Sequence, residues 1–375
     1  MPKRQKRNKR QEINVKKGKI KSLLVAIYYF LLPKRKWLRR TLLIFITLLI
    51  FWVSAMYGIA RWYIARHASQ PTVMGITFIP DYARSFGLNP EDTMQAMIDE
   101  LGVKHVRLVS YWEDIEREPG VYDFSELDWQ FAKAEASGVK VSLALGLRQP
   151  RWPECHSPLW ANVQSNNQDQ WYPQLKKVTQ KIVERYKGSP MLVSYQLENE
   201  YFLKVFGECK NFNRERLIDE YNFVKSLDTE HKVIVSRSNN AIGFPMGQPT
   251  PNEFGVSVYK RVWDKTVTKR YIEYPFPAWF YGFLAGAGEL LTGKDMIIHE
   301  LQAEPWAPTN IHLATNEELA KSLDAKRLHD RFEYGKATGI KTIYLWGAEY
   351  WYYQKVKVGD ASLWNVARDE FSNTH

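Results

Sequence analysis

Met191-Leu192-Val193-Ser194-Tyr195-Gln196-Leu197-Glu198-Asn199-Glu200 reads as a short buried strand that runs straight into carboxylates. A hundred residues on, Met296-Ile297-Ile298 leads in the same way into His299-Glu300-Leu301-Gln302-Ala303-Glu304-Pro305-Trp306. A short apolar run without alternation fits a strand covered on both faces, as in a parallel sheet.

Working outward, the chain from Val73 onward alternates such runs with longer amphipathic ones. The expected strands are Val73–Phe78, His105–Val109, Val139–Leu145, Leu192–Leu197, Lys232–Ser236, Gly255–Val258, Met296–Ile298 and Thr342–Trp346. Helical patterns fall at Asn89–Leu101, where Asn89 caps and Pro90 opens the first turn, and at Ser125–Ser137, Gln170–Tyr186, Asn213–Leu227 and Glu317–Thr338. Gly102 and Gly138 follow two of these helices as left-handed stops. Strands alternating with helices predict an α/β fold, and eight units in one domain predict a (β/α)8 TIM barrel over residues 73–375. An open doubly wound sheet is the alternative, but no Gly-rich phosphate loop follows the first strand. Residues 271–293 stand out as an apolar insertion, read either as a barrel helix or as a surface resting on a membrane.

The whole-chain charge of +11 is unevenly placed. Residues 1–40 hold fifteen Lys or Arg against Glu12 alone, so the remainder carries 37 basic and 40 acidic residues. Thr41 to Ala60 is free of charge and long enough to cross about 30 Å of hydrocarbon as a helix. The positive excess before it predicts a single-pass anchor in the cytoplasmic membrane, N-terminus inside and body outside, with 61–72 as linker. A cleaved signal peptide is the competing reading, disfavoured by the length of the basic region. Leu23–Leu32 is too short to span and is expected to lie on the inner leaflet. Lipid contact through residues 41–60 and the tail accounts for the basicity, so no nucleic-acid partner is expected. An exported body permits a disulfide between Cys155 and Cys209, the chain's two cysteines.

In a (β/α)8 barrel the chemistry sits at the C-terminal ends of the strands. Those ends supply Arg107, Asn199, Glu200, Tyr259, Glu300 and Trp346. Two carboxylates facing one cleft are what glycoside cleavage needs: one protonates the leaving oxygen and the other attacks or activates water. Glu198 and Glu304 are rival carboxylates. Glu198 would point the same way as Glu200 but deeper if the strand continued, and Glu304 lies past its strand and would bind substrate. By alternation His299 is expected to face the helix layer. Trp112, Trp152 and Trp306 follow strands two, three and seven and are candidate sugar platforms, with core packing as the competing reading. The eight histidines show no metal-ligand spacing, and neither metal nor cofactor is expected.

The stretch Tyr111-Trp112-Glu113-Asp114-Ile115-Glu116, followed by Pro119-Gly120-Val121-Tyr122-Asp123-Phe124-Ser125-Glu126-Leu127-Asp128, resembles the segment after strand two in clan A retaining glycoside hydrolases of the β-galactosidase and cellulase-like branches. Gln196-Leu197-Glu198-Asn199-Glu200-Tyr201 is similar to their acid/base motif, and the likeness spans about residues 73–365. The resemblance implies Glu200 as acid/base and Glu300 as nucleophile. It also implies Asn199 on the hydroxyl beside the reacting carbon, Tyr259 and Arg107 holding Glu300, and Trp346 as a floor for the sugar. A membrane-anchored retaining glycosidase acting on a saccharide or glycoside, with a β-linkage implied by the resemblance, is therefore the expected function. Transglycosylation at the same site and a silent carbohydrate-binding barrel are the alternatives.

Overall fold

The computed structural model describes residues 36–164, 167–204, 206–209, 212–237, 247 and 249–373. Six parallel strands come first: β1 (Val73–Thr77), β2 (His105–Leu108), β3 (Lys140–Leu145), β4 (Leu192–Leu197), β5 (Lys232–Arg237) and β6 (Glu253–Val258). A small antiparallel hairpin, β7 (Arg261–Trp263) and β8 (Tyr271–Glu273), interrupts them. Then β9 (Asp295–Gln302) and β10 (Thr342–Trp346) close the barrel in the order β1-β10-β9-β6-β5-β4-β3-β2. All eight expected strands are present in a closed TIM barrel. The largest difference is β9, which runs four residues past Ile298. Its polar residues Glu300 and Gln302 face the barrel mouth, so hydropathy alone ends the strand too early.

In the sequence α1 (Lys36–Arg66) precedes the barrel, and around the barrel lie α2 (Pro80–Ser85), α3 (Pro90–Asp99), α4 (Trp112–Ile115), α5 (Ser125–Ser137), α6 (Gln168–Tyr186), α7 (Arg214–Leu227), α8 (Ala278–Thr292), α9 (Asn316–Ala320), α10 (Ala325–Ala337), α11 (Ala348–Tyr353) and α12 (Ser362–Ser372). Asn89 caps α3 by accepting from the Asp92 N–H, and Gly138 ends α5 at φ 66°, as their residue types dictate. The helix expected over Glu317–Thr338 is broken into α9 and α10. Between them Ser322 turns inward, accepting from the Trp306 N–H and donating to the Arg261 carbonyl, and Asp324 starts a new helix by accepting from the Arg327 N–H. Tethering two active-face loops outweighs continuing the helix.

The chain divides into two compact units, residues 1–58 and 59–375. In the first, α1 carries exposed apolar side chains on all faces, and the helix as a whole is long and apolar enough to cross a membrane. In the second, residues expected to be linker are helical through Arg66 and packed. Tyr63 is fully buried and donates its hydroxyl to Asp295 Oδ1 at 2.6 Å, while Arg66 and His67 both reach Glu289 of α8. Close approach depends on small residues: a Cβ at Gly286 would lie 2.9 Å from Tyr63 Cβ and 3.0 Å from Ile59 Cγ2. The apolar insertion is thus a barrel helix, α8, that also receives the last turns of α1. The basic tail through Arg35 and the segment Leu23–Leu32 lie outside the described residues.

Candidate active site

The strand ends converge on Glu300. Arg107, fully buried on β2, donates through Nη2 to Glu300 Oε1 at 2.9 Å, through Nη1 to Gln196 Oε1 at 2.8 Å and through Nε to Thr77 Oγ1 at 3.0 Å. Tyr259 donates its hydroxyl to the other Glu300 oxygen at 2.8 Å, and burial first, then Glu300, keeps that phenol far above its usual titration range. Glu300 is therefore fixed in place by one donor on each oxygen. Gln196 links Arg107 to Asn199, donating from Nε2 to Asn199 Oδ1 at 2.9 Å. Glu200 receives a hydrogen bond from Ser257 Oγ, and its backbone N–H donates to Ser236 Oγ at 2.9 Å. An oxygen of Glu200 lies within 4.8 Å of one of Glu300.

Glu198 does not share this cleft. Strand β4 stops at Leu197, and Glu198 and Glu200 take left-handed backbone angles, φ 55° and 42°. The turn sends Glu198 behind the barrel rim, where it accepts from the Leu147 and Arg148 N–H groups and from Arg216 Nη1 at 2.8 Å, with no exposure at all. A Cβ at Gly146, whose φ is 99°, would sit 2.8 Å from Glu198 Oε1, so only glycine admits this staple. The expected strand alternation fails here because the strand has ended.

His299 is a second correction. Val256 of β6 pairs with Ile298 while Ser257 pairs with Glu300, which leaves His299 as the extra residue of a β-bulge. The bulge suspends alternation, and His299 turns toward Ser257 instead of the helix layer, with Nε2 3.2 Å from Ser257 Oγ. Burial, then Arg107, holds its titration well below the usual value, so it is neutral. Ser257 stands between Glu200 and His299, able to donate to a carboxylate on one side or a ring nitrogen on the other. Ser257→Ala should lower turnover about tenfold, the size of one lost hydrogen bond to a charged group, with Ser257→Thr restoring most of it. Equal turnover in the alanine variant would sink this role.

Trp112 is also corrected: it is 1% exposed, donates to Glu116 Oε2 and packs edge-on against Trp160, so it belongs to the core. Trp152, 58% exposed, and Trp306 do line the cleft, each beside Phe206. Trp346 also lines it, but a cation stands over its ring: the Arg151 guanidinium carbon lies 4.5 Å from the Trp346 centroid and 3.3 Å from that of Tyr82. Glu304 completes the cluster, accepting from Trp346 Nε1 at 2.8 Å, Tyr82 hydroxyl at 2.6 Å and Arg151 Nη2 at 3.0 Å. Gly347, at φ 100°, makes room for it, since a Cβ there would meet Glu304 Cβ at 2.4 Å.

Arg151, Glu154, Gln196, Tyr82 and Ser257 were not singled out from the sequence. Arg151 and Glu154 sit in the loop after β3 beside Cys155, which is bonded to Cys209. That proximity is the one signal that could have marked them. Glu154 accepts from Asn199 Nδ2 at 3.0 Å, and burial, with Glu200 and Glu300 adding to it, raises its carboxyl well above the usual range against the pull of Arg148.

Below the Arg151 cluster, burial pushes Glu349 up to about 7 from the ordinary 4.5, although it accepts from the Ile79 N–H. A carboxyl raised on folding stabilises the fold fully below about pH 4.5 and loses that contribution, about 3 kcal/mol, as pH rises through 7. Glu349→Gln should accordingly flatten the fall in Tm between pH 5 and 8. Parallel Tm curves for the two proteins would contradict it.

The cleft has a volume of about 730 Å³ and takes its lining from loops after β3, β4, β6 and β9 and from Trp346 of β10. Among the described residues, Glu200, His299 and Glu300 bring ligand atoms within 4.8 Å of one another, the one grouping with metal-like spacing. Its carboxylates are already held by Ser257, Arg107 and Tyr259.

Residues 88–238, from α3 through β5, match the glycoside hydrolase 42 family model, described as β-galactosidase. In that segment the chain is similar to a glycoside hydrolase, and its closed eight-stranded barrel resembles the clan A type. The matched segment carries Arg107, Asn199 and Glu200 and ends before Glu300. A mannan endo-1,4-β-mannosidase of Podospora anserina is 28% identical over 157 residues, covering 40% of this chain and 39% of that one. A β-galactosidase of Bifidobacterium bifidum is 29% identical over 131 residues, covering 30% and 19%. The chain thus spans well under half the length of these curated relatives. A β-galactosidase structure from Halorubrum lacusprofundi superposes with a TM-score of 0.53 at 12% identity, covering 80% of this chain and 58% of that one, a likeness of fold.

Proposed function

We propose that the barrel cleaves glycosidic bonds with retention of configuration. The observation that carries this is the closeness of Glu200 and Glu300: one oxygen of each lies within 4.8 Å of the other, in keeping with a retaining pair, whose carboxyl groups stand about 5 to 5.5 Å apart. An inverting pair would stand about 6.5 to 9.5 Å apart to admit water between. Glu300, oriented by Arg107 and Tyr259, attacks the anomeric carbon as the bond to the leaving oxygen breaks. Glu200 delivers its proton to that oxygen. Water then attacks the glycosyl–Glu300 ester, Glu200 takes the proton, and the sugar leaves with its original configuration. Asn199, fixed by Gln196 and Glu154, is placed to hold the hydroxyl beside the reacting carbon.

The substrate class is a glycoside or saccharide, and a β-linkage accords with the relatives' printed activities. In the same reading α1 is a single membrane span with the N-terminus in the cytoplasm and the barrel outside. The charge asymmetry supports that orientation, and the Cys155–Cys209 bond suits an oxidising compartment.

Hydrolysis of an aryl β-galactoside, glucoside, mannoside and xyloside panel, with the first-formed anomer followed by NMR, tests the reading. Release of the β-anomer first is expected. An α-anomer first, or no release from any member, would refute it.

A further inference from the structure

Glu200 gives its proton to the leaving oxygen, so the group that departs lies beside the loop that carries Glu200. Leu203 and Phe206 of that loop line the cleft, and the Phe206 ring stands 5.8 Å from Trp152 and 5.9 Å from Trp306. The β7–β8 hairpin continues the wall. Val262 and Ile272 lie opposite each other across its two strands, which puts both side chains on one face, and both line the cleft. Ile311, in the segment after β9, lines it as well.

Aromatic rings alone would suit the flat face of a second sugar as well as a hydrocarbon. The aliphatic side chains do not. A sugar set against Leu203, Val262, Ile272 and Ile311 would lose water from its hydroxyls with nothing to replace it, and each buried hydroxyl without a partner is costly. The carboxylates nearby are already held: Asp264 accepts from the N–H and hydroxyl of both Thr266 and Thr268, Glu304 from Arg151, and Glu154 from Asn199. Among the described residues the lining has no Asn, Gln or His to take their place. Hydrocarbon gains where sugar loses, since each methylene moved out of water onto such a wall is favourable.

Resting on the glycosidase reading above, we infer that the leaving group of the natural substrate is apolar: an alkyl or aryl alcohol in glycosidic linkage, not a second sugar. Leu203, Phe206, Trp306 and the Val262–Ile272 pair form its subsite. They set kcat/KM by holding the aglycone and take no part in the chemistry at Glu200 and Glu300.

The test uses the full chain in a detergent without a sugar headgroup. Substrates are the methyl, hexyl and benzyl β-glycosides of galactose, glucose and mannose, the β-1,4-linked disaccharide of each sugar, and the 2,4-dinitrophenyl glycosides as controls. Methanol, hexanol and benzyl alcohol are of similar basicity, so their glycosides differ in binding and not in the need for a proton. Expected is a kcat/KM about thirtyfold higher for hexyl than for methyl, on a logarithmic scale about half of what burying five methylenes gives. The disaccharide should be slower than the hexyl glycoside, and the order of hexyl and benzyl tells an alkyl from an aryl aglycone. Ile272→Ser should cut the hexyl-to-methyl ratio about fivefold with the methyl rate within about twofold of the wild type, and an unchanged ratio removes the hairpin from the subsite. A wild-type hexyl-to-methyl ratio under about tenfold, or a disaccharide cleaved as fast as the hexyl glycoside, overturns the apolar leaving group and leaves the glycosidase reading standing. Silence toward every glycoside, the dinitrophenyl controls included, overturns both. The wild-type series decides the matter even where the Ile272 variant does not fold.

Discussion

Glu300→Gln should lower kcat on aryl β-glycosides by more than about 10³-fold while leaving Tm within a few degrees of the wild type. Gln keeps the shape and still accepts from Tyr259, but it cannot form the glycosyl ester, and it places an amide against the Arg107 guanidinium. Loss of activity alone would not distinguish a nucleophile from a substrate contact. Anion rescue does. In Glu300→Gly the vacated space beside the anomeric carbon admits azide on the face that Glu300 attacked, and the product should be the glycosyl azide of inverted configuration. If added azide restores nothing, or yields the retained anomer, the nucleophile has been assigned to the wrong carboxylate, and Glu304 becomes the residue to test.

Glu200→Ala should separate two steps according to the leaving group. Protonation matters most when the departing oxygen is basic, so activity on a sugar–sugar bond should fall on the order of 10³-fold, within the range for general acid catalysis. A 2,4-dinitrophenyl leaving group needs no proton, so the first step should stay close to wild-type rate. The glycosyl-enzyme should then accumulate, because the base that activates water has also gone. A burst of dinitrophenol followed by slow turnover is the expected trace. Azide in this variant should give the retained azide, opposite to the outcome in Glu300→Gly. A loss of equal size on both leaving groups would remove Glu200 from the acid role and reopen the question for Glu154, the other buried carboxylate facing Asn199.

These two experiments also probe what the sequence could not reach. The pair was legible because each Glu follows a short apolar run, and barrel topology puts all such ends on one face. Arg107, Asn199 and Tyr259 were legible for the same reason, and the structure brings them to Glu300 or to one another's partners. Glu198 was misjudged because alternation was extended one residue beyond a strand that ends at Leu197. His299 was misjudged because a bulge in β9 inserts a residue that no hydropathy pattern announces. Trp112 read as a loop aromatic because α4, four residues long, leaves little periodicity to detect.

Hydrophobic periodicity is a local property, and by itself it marked the eight strands, the span-length helix and the strand ends that carry the two candidate carboxylates. Closure of the barrel alone decided which groups face them. Gln196, Ser257, Tyr82, Glu154 and Arg151 act through contacts between residues 45 to 222 positions apart in the chain. Whether a left-handed turn or a bulge aims a side chain into the cleft depends on the partner strand's register. Whether Trp346 offers its face to a sugar or to Arg151 depends on the loop after β3, three strands away around the barrel. Long-range pairing of this kind leaves no trace in the residues nearby, because the energy that fixes it comes from neighbours the chain meets only once it has folded.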